Sequence, residues 1–289
     1  MVQFGVIAHG GAGSSEELTD GVKMAVETGF KILESGKDAI DAAMETVRVL
    51  EDDGRYNAGS GSLFRMDGKT IEMDAAIMTS AGSLGAVLAI RNVKNPVLVA
   101  RAVCETPHVV LAGPGAGAFA RRGGFRSFHG TSRKSRGGFL KTKEMAEEDR
   151  QERTNPGWKG MGAGKLSTDT VGAVALDMKG VFAVAVSTGG FSPMMVGRVG
   201  DTPLIGCGFY AGTFGGVAVT GLGEEIIRRM LAGHVYSRIE TGMDVEAACT
   251  NGIHLFPDDV PVGIIALTRQ GFSVCSNRGM AHYELLKEV

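Results

Sequence analysis

"STDTVGAVALDMKGVFAVAVSTGG" spans Ser167–Gly190. It holds two short apolar runs, Thr170–Leu176 and Val181–Thr188, joined by a turn at Met178–Gly180. Runs this short, rich in Val and Ala and bounded by Gly and Asp, read as buried strands. The stretch is therefore a core hairpin, and its entry is what needs explaining. A strand opens on Asp169-Thr170 in the middle of the chain, directly after a segment with little that could pack.

That segment, Arg121–Ser167, holds 12 Lys/Arg against 5 Asp/Glu, and Gly, Ser and charge dominate it. Too few apolar side chains are present to offset the entropy of ordering it, so the composition predicts a mobile tether. Long structureless loops are unusual inside a compact domain. A tether that is kept in order to be cut reconciles the two. A basic run can also bind nucleic acid or acidic lipid, but a solvated linker is the simpler reading.

Outward from the hairpin, the N-terminal side reads as a strand at Phe4–Ala8, the turn "HGGAG" (His9–Gly13), and helices over Asp20–Ser35 and Asp38–Leu50 with Asp38 as N-cap. A turn-rich loop follows to Phe64, then strands near Glu72–Thr79 and Gly85–Ile90. A helix with Pro96 in its first turn and a short one at Gly115–Arg121 complete this half. The C-terminal side reads as a strand at Gly215–Thr220, a helix through "GLGEEIIRRMLAGHVYSRI", a helix at Asp244–Asn251, and strands at Val262–Thr268 and Phe272–Ser276. Strands at both ends with helices grouped between them predict an α/β (α+β) sandwich of antiparallel-rich sheets, not a regular βαβ alternation.

The 289 residues allow one large domain or two small ones, and at 44% apolar they hold enough for a substantial core. A net charge of −2 gives no nucleic-acid signal. The start "MVQFGVIAHGG" has neither a basic region nor a long apolar run, so the expectation is a cytoplasmic protein with no membrane partner. The four cysteines are scattered without metal-ligand spacing and read as free thiols.

Thr170 has two readings. It can be a β-branched residue that starts a strand. Alternatively, cutting the chain before it would give its hydroxyl an adjacent α-amine, whose reference pKa of about 7.7–8.0 suits a general base near neutrality. "DTVGAV" alone leaves both open.

The ordered set "HGGAG", "LEDDGRYNAGSGS", "EMDAAIM", "DTVGAVALD", "STGG", "GRVGDTPLIGCGFYA" and "VTGLGEE" resembles the plant-type (type III) asparaginase/isoaspartyl peptidase family of N-terminal-nucleophile hydrolases. The resemblance covers nearly all of residues 4–120 and 168–280. It implies a single αββα four-layer domain, cut between Asp169 and Thr170 into an α chain (1–169) and a β chain (170–289), paired as an (αβ)₂ homodimer.

The resemblance also implies roles. Thr170 is the nucleophile and Thr188 orients it. Arg198 and Asp201 hold the substrate's α-carboxylate and α-ammonium. Thr220 and Gly221 form the oxyanion hole, and Asn57 lies near the nucleophile. Catalysis needs no cofactor, while a structural Na⁺ is held by backbone carbonyls of Leu50, Glu51, Asp53, Tyr56, Ala58 and Ser60. The implied substrates are L-asparagine and β-aspartyl dipeptides.

Asp169 stands where many family members have Gly, and an Asp-Thr junction also resembles the glycosylasparaginases. Threonine-aspartase relatives share "RVG" but tend to lack the acid that here is Asp201. The alternative from a different class is an unprocessed scaffold that binds amino acids.

Overall fold

The computed structural model describes residues 1–128, 170–191 and 194–288. The hairpin is β5 (Val171–Leu176) and β6 (Phe182–Thr188). It sits at the centre of a seven-stranded sheet with β1 (Val2–His9), β2 (Met73–Thr79), β3 (Leu84–Ile90), β4 (Val110–Ala112) and β11 (His282–Glu288). The strand order is β11-β1-β5-β6-β2-β3-β4, antiparallel except for the β3–β4 pair.

A second, four-stranded antiparallel sheet has the order β10-β9-β8-β7, from β7 (Phe209–Gly212), β8 (Gly215–Gly221), β9 (Val262–Thr268) and β10 (Phe272–Ser276). The two sheets face each other. Helices α1 (Thr19–Glu34), α2 (Ala39–Asp53), α3 (Pro96–Val103) and α4 (Gly113–Arg122) cover the outside of the first sheet. Helices α6 (Leu231–Glu240) and α7 (Val245–Ile253) cover the second, with the short α5 (Gly223–Arg229) leading into them. The layers are αββα, as expected.

Strand alternation explains the layering. Ala173, Ala175, Ala183 and Ala185 face the helices, where small side chains let α2 approach closely. Val174, Leu176, Phe182, Val184 and Val186 face the other sheet and fill the space between the two. Burying one such large side chain contributes about 1.5–3 kcal/mol.

Several expectations need correction. Asp38 is the N-cap residue of α2 but makes no side-chain capping bond. Asp177, in the β5–β6 turn, accepts the Ala39 N–H at 3.0 Å instead, while Asp38 pairs with Lys179. The helix expected up to Ile239 is broken at Met230, which adopts φ +47. The break lets the N–H groups of Ala232 and Gly233, in the first turn of α6, donate to the carbonyls of Cys207 and Gly206.

Strands β4, β7 and β11 carry no clear apolar alternation and were not expected. β11 closes the sheet beside β1. The segment expected to be a tether starts too early: Arg121 and Arg122 end α4, Phe125 packs on the core, and Ser127 bridges Val93. The remainder of that segment, and Asp169, lie outside the described residues. The four cysteines are free thiols. Among the described residues, no helix is long and apolar enough to cross a membrane.

Candidate active site

Thr170 directly precedes β5, and Thr188 ends β6. The antiparallel pairing of the hairpin puts the entry of one strand beside the exit of the other. Their side-chain oxygens lie 3.2 Å apart. Thr188 Oγ1 also accepts the Gly190 N–H at 3.0 Å, which fixes its rotamer. Both threonines are buried, at 6% and 3% exposure, so the pair is held in a low-dielectric site.

A small, shallow cleft opens onto this pair, lined by Thr170, Thr188, Gly190, Phe191, Arg198, Asp201, Thr202, Gly221 and Gly223. Five residues expected in the site therefore meet in one depression: Thr170, Thr188, Arg198, Asp201 and Gly221. The Arg198 guanidinium lies 4.4 Å from the centre of the Phe191 ring. It donates from Nε and Nη2 to the two carboxylate oxygens of Glu224, at 2.9 and 2.8 Å. This bidentate pairing takes up the Nε–Nη2 edge of the guanidinium and fixes its plane, while Nη1 lies 3.9 Å from the Met194 sulfur. Burial pushes the Glu224 carboxyl up, and the hydrogen bonds and charge of Arg198 more than offset that, leaving it below its usual range.

Asp201 is buried, and its Oδ2 has no hydrogen-bond partner. Burial pushes its pKa up to about 7, against the opposing pull of Arg198. A buried carboxylate with one oxygen unpartnered, in a cleft, suits a cationic ligand.

Thr220 lies one residue behind Gly221, fully buried, and its Oγ1 accepts the Ala12 N–H at 3.2 Å. Gly221 adopts φ +143, and a Cβ there would strike the Pro261 carbonyl, so only glycine lets the backbone pass. Gly10 packs against the Tyr56 ring, with room for no Cβ. Asn57 does not line the cleft. Its Nδ2 donates to the Gly190 carbonyl and its backbone carbonyl accepts the Gly189 N–H at 2.8 Å, so it braces the turn after Thr188 from behind.

Not anticipated from the sequence were Phe191 and Thr202 in the cleft, Glu224 behind Arg198, and the buried group Arg65, Glu72 and Asp74. Asp74 stands opposite Thr188 in the β2–β6 register; burial pushes it up to about 6. His9 is wholly buried, and desolvation pushes it down to about 3, so it is neutral. "EMDAAIM" carried two of these residues, but only as part of a recognised string.

The loop Leu50–Ser60 was expected to hold a Na⁺ through carbonyls. Gly59 sits where a Cβ would lie 2.7 Å from the Glu51 carbonyl oxygen, and Gly61 packs on the carbonyls of Tyr56 and Gly54. The Asp53 carboxylate is occupied by Arg55 and the Tyr56 hydroxyl donates to the Leu18 carbonyl. What the loop offers is a glycine-lined turn of main-chain oxygens, a donor chemistry that suits a hard cation. Among the described residues, no group of three or more His, Cys, Asp or Glu is placed to hold a metal.

Two facing sheets between helical layers, with a threonine at the head of a central strand, define an αββα sandwich of the N-terminal-nucleophile hydrolase type. The chain belongs to the asparaginase family, whose profile matches residues 2–286. It is 42% identical to the plant-type L-asparaginase of Pyrococcus abyssi, over 98% of this chain and 96% of the relative. It is 40% identical to the plant-type L-asparaginase of Pyrococcus furiosus over the same shares. It is also 42% identical to the isoaspartyl peptidase/L-asparaginase of Danio rerio, over 84% of this chain and 78% of the relative.

Proposed function

We propose that this chain hydrolyses L-asparagine to L-aspartate and ammonia and cleaves β-aspartyl dipeptides, with Thr170 as the nucleophile after self-cleavage of the Asp169–Thr170 bond. One observation carries the reading: a threonine hydroxyl pair, a guanidinium and a buried carboxylate with one oxygen unpartnered converge in a single small cleft. L-Asparagine and β-aspartyl dipeptides share a free α-carboxylate and α-ammonium on one carbon. Arg198 takes the first and Asp201 the second. Holding both sets the β-carbonyl at Thr170.

In the uncut chain the Thr170 nitrogen is an amide and cannot serve as a base. The Thr170 hydroxyl attacks the Asp169 carbonyl carbon, the C–N bond breaks as the acyl group moves to oxygen, the hydroxyl proton passes to the departing nitrogen, and water hydrolyses the ester. The α-amine this releases then takes the Thr170 hydroxyl proton as the oxygen attacks the substrate's β-carbonyl carbon. Thr188 orients the nucleophile. Thr220 Oγ1 and the Gly221 N–H stabilise the oxyanion, a type of contact typically worth about 10²–10³ in rate per donor. Collapse expels ammonia, or the amine of the leaving residue, with the proton from the Thr170 amine. Water then releases L-aspartate from the ester.

The backbone carbonyls of Leu50, Glu51, Asp53, Tyr56, Ala58 and Ser60 would hold a structural Na⁺, which would stiffen the loop carrying Asn57; catalysis itself uses no cofactor. The processed protomers pair as an (αβ)₂ homodimer in the cytoplasm, without nucleic-acid or membrane partners.

Mass spectrometry of the purified protein and of Thr170→Ala tests the reading. Wild type should give two chains meeting at residues 169 and 170, and Thr170→Ala a single chain that releases no ammonia from L-asparagine. A variant that still splits at this bond would place the nucleophile elsewhere. Arg198→Ala should lower kcat/KM for L-asparagine and β-Asp-Leu together, by about ten- to a hundredfold. Its self-cleavage should suffer less, because the α-groups of Asp169 are tied up in peptide bonds. Equal wild-type turnover of α- and β-linked aspartyl peptides would overturn the clamp.

A further inference from the structure

Beneath the cleft lies an ion pair that the reaction does not touch. The side chains of Arg65 and Glu72 are 0% and 3% exposed, with Arg65 Nε 3.2 Å from Glu72 Oε2. Every accepting position of the Glu72 carboxylate is occupied. Oε2 also accepts the Gly197 N–H at 2.6 Å, and Oε1 accepts Nε and Nη2 of Arg91 at 3.1 and 2.6 Å. Arg65 sends Nη1 to the Gly189 carbonyl at 2.9 Å and Nη2 to the backbone carbonyl of Glu72 at 2.8 Å. Next to it, the Met66 N–H donates to the Met194 carbonyl at 2.9 Å.

Three of these bonds, to Gly189, Met194 and Gly197, hold one stretch of chain. Gly189 follows Thr188, and Gly197 precedes Arg198. The same buried pair thus grips both ends of the segment that carries Phe191 and Arg198 into the cleft. Gly197 has φ +84 and offers no side chain by which to be held, so its N–H is the handle. A buried ion pair gains little stability over an apolar pair of similar volume, because desolvation offsets the attraction. Fixing a backbone position is something an apolar pair cannot do.

We infer that Glu72, backed by Arg65, is a positioning residue for the substrate clamp: by holding Gly197 it sets where the Arg198 guanidinium meets the α-carboxylate. This rests on the clamp reading above. Glu72 touches no substrate and acts only through Arg198.

The test compares two competitive inhibitors of the mature enzyme. L-Aspartate has both α-groups; β-alanine is the same molecule without the α-carboxylate. Glu72→Gln keeps the shape of the side chain but halves its accepting capacity. It should raise the KM for L-asparagine and the Ki of L-aspartate about tenfold, the size of one charge-assisted contact. The kcat, the Ki of β-alanine and self-cleavage should stay near wild type. Glu72→Asp, which keeps the charge on a shorter reach, should lie between the two. If Glu72→Gln fails to fold, Glu72→Asp carries the same comparison.

Val235→Ala, in the opposite helical layer, is the control for lost stability and should move the melting temperature without moving either Ki. Unchanged KM and Ki in the Glu72 variants overturn this inference. So does an equal weakening of L-aspartate and β-alanine, which would mean a general loosening of the site. A wild-type protein inactive on L-asparagine overturns the clamp reading, and this inference with it.

Discussion

Asp201 is buried where the proposed clamp requires a charge. Desolvation pushes its carboxyl up to about 7 from an ordinary value of 3.8, so the folded protein holds this proton more tightly than the unfolded chain does. The stability linked to that proton is full below pH 3.8 and is lost as pH rises through about 7. Asp201→Asn should therefore melt higher than wild type at pH 8, by about 2–4 °C for each kcal/mol recovered, with the gap closing towards pH 5. The same variant should lose most of its activity, since the α-ammonium has lost its partner. In wild type, the KM for L-asparagine should fall between pH 6 and pH 8 as Asp201 ionises. A KM flat over that range, with no gain in melting temperature at pH 8, would show that Asp201 is charged throughout. At this scale Thr170, Thr188, Arg198, Asp201 and Gly221 were legible because each sits in a recognisable string. Arg65 and Glu72 were not, since their bonds to Gly189 and Gly197 span 124 and 125 residues and leave no local spacing to read.

Elements were legible where burial is one-sided. The hairpin and helices α1 and α2 show their periods in the sequence, because each packs one face into a core. β11 pairs with β1 yet shows no clean alternation, its residues being partly exposed throughout. The break at Met230 was hidden for a different reason: it depends on the carbonyls of Gly206 and Cys207, which only the folded chain brings to α6. Helix packing also sets sharp limits. At Gly29, in α1, a Cβ would strike Thr46 Oγ1 and come within 2.9 Å of the Ala42 carbonyl, both in α2. In an isolated helix Gly to Ala is favourable by roughly 1 kcal/mol. Here the clash should dominate, since overpacking costs about 1–3 kcal/mol. Gly29→Ala should lower the melting temperature, with kcat near wild type in the folded fraction. A rise would mean that α1 and α2 separate without penalty.

At the scale of the whole molecule, the proposed cut falls at the head of a central strand, yet the fold is built so that cutting separates nothing. Numbering the first sheet from its β11 edge, β11 belongs to the C-terminal chain, β1 to the N-terminal chain, β5 and β6 to the C-terminal chain, and β2, β3 and β4 to the N-terminal chain. The two chains are interleaved, with β1 bonded on both sides to strands of the other chain. Helix α2 packs on β5 and β6 across the same division. The four-stranded sheet belongs wholly to the C-terminal chain and could bury its inner face only against the shared sheet. Neither chain keeps a complete core alone, so the cut protein should unfold as one unit. Mature protein should elute from a sizing column as one species containing both chains, and should separate into two only in denaturant. It should melt in a single transition seen alike by fluorescence and far-UV circular dichroism. Uncut Thr170→Ala should elute at the same volume. Separate elution of the two chains without denaturant, or two resolved transitions, would mean that the interleaved strands do not hold the halves together.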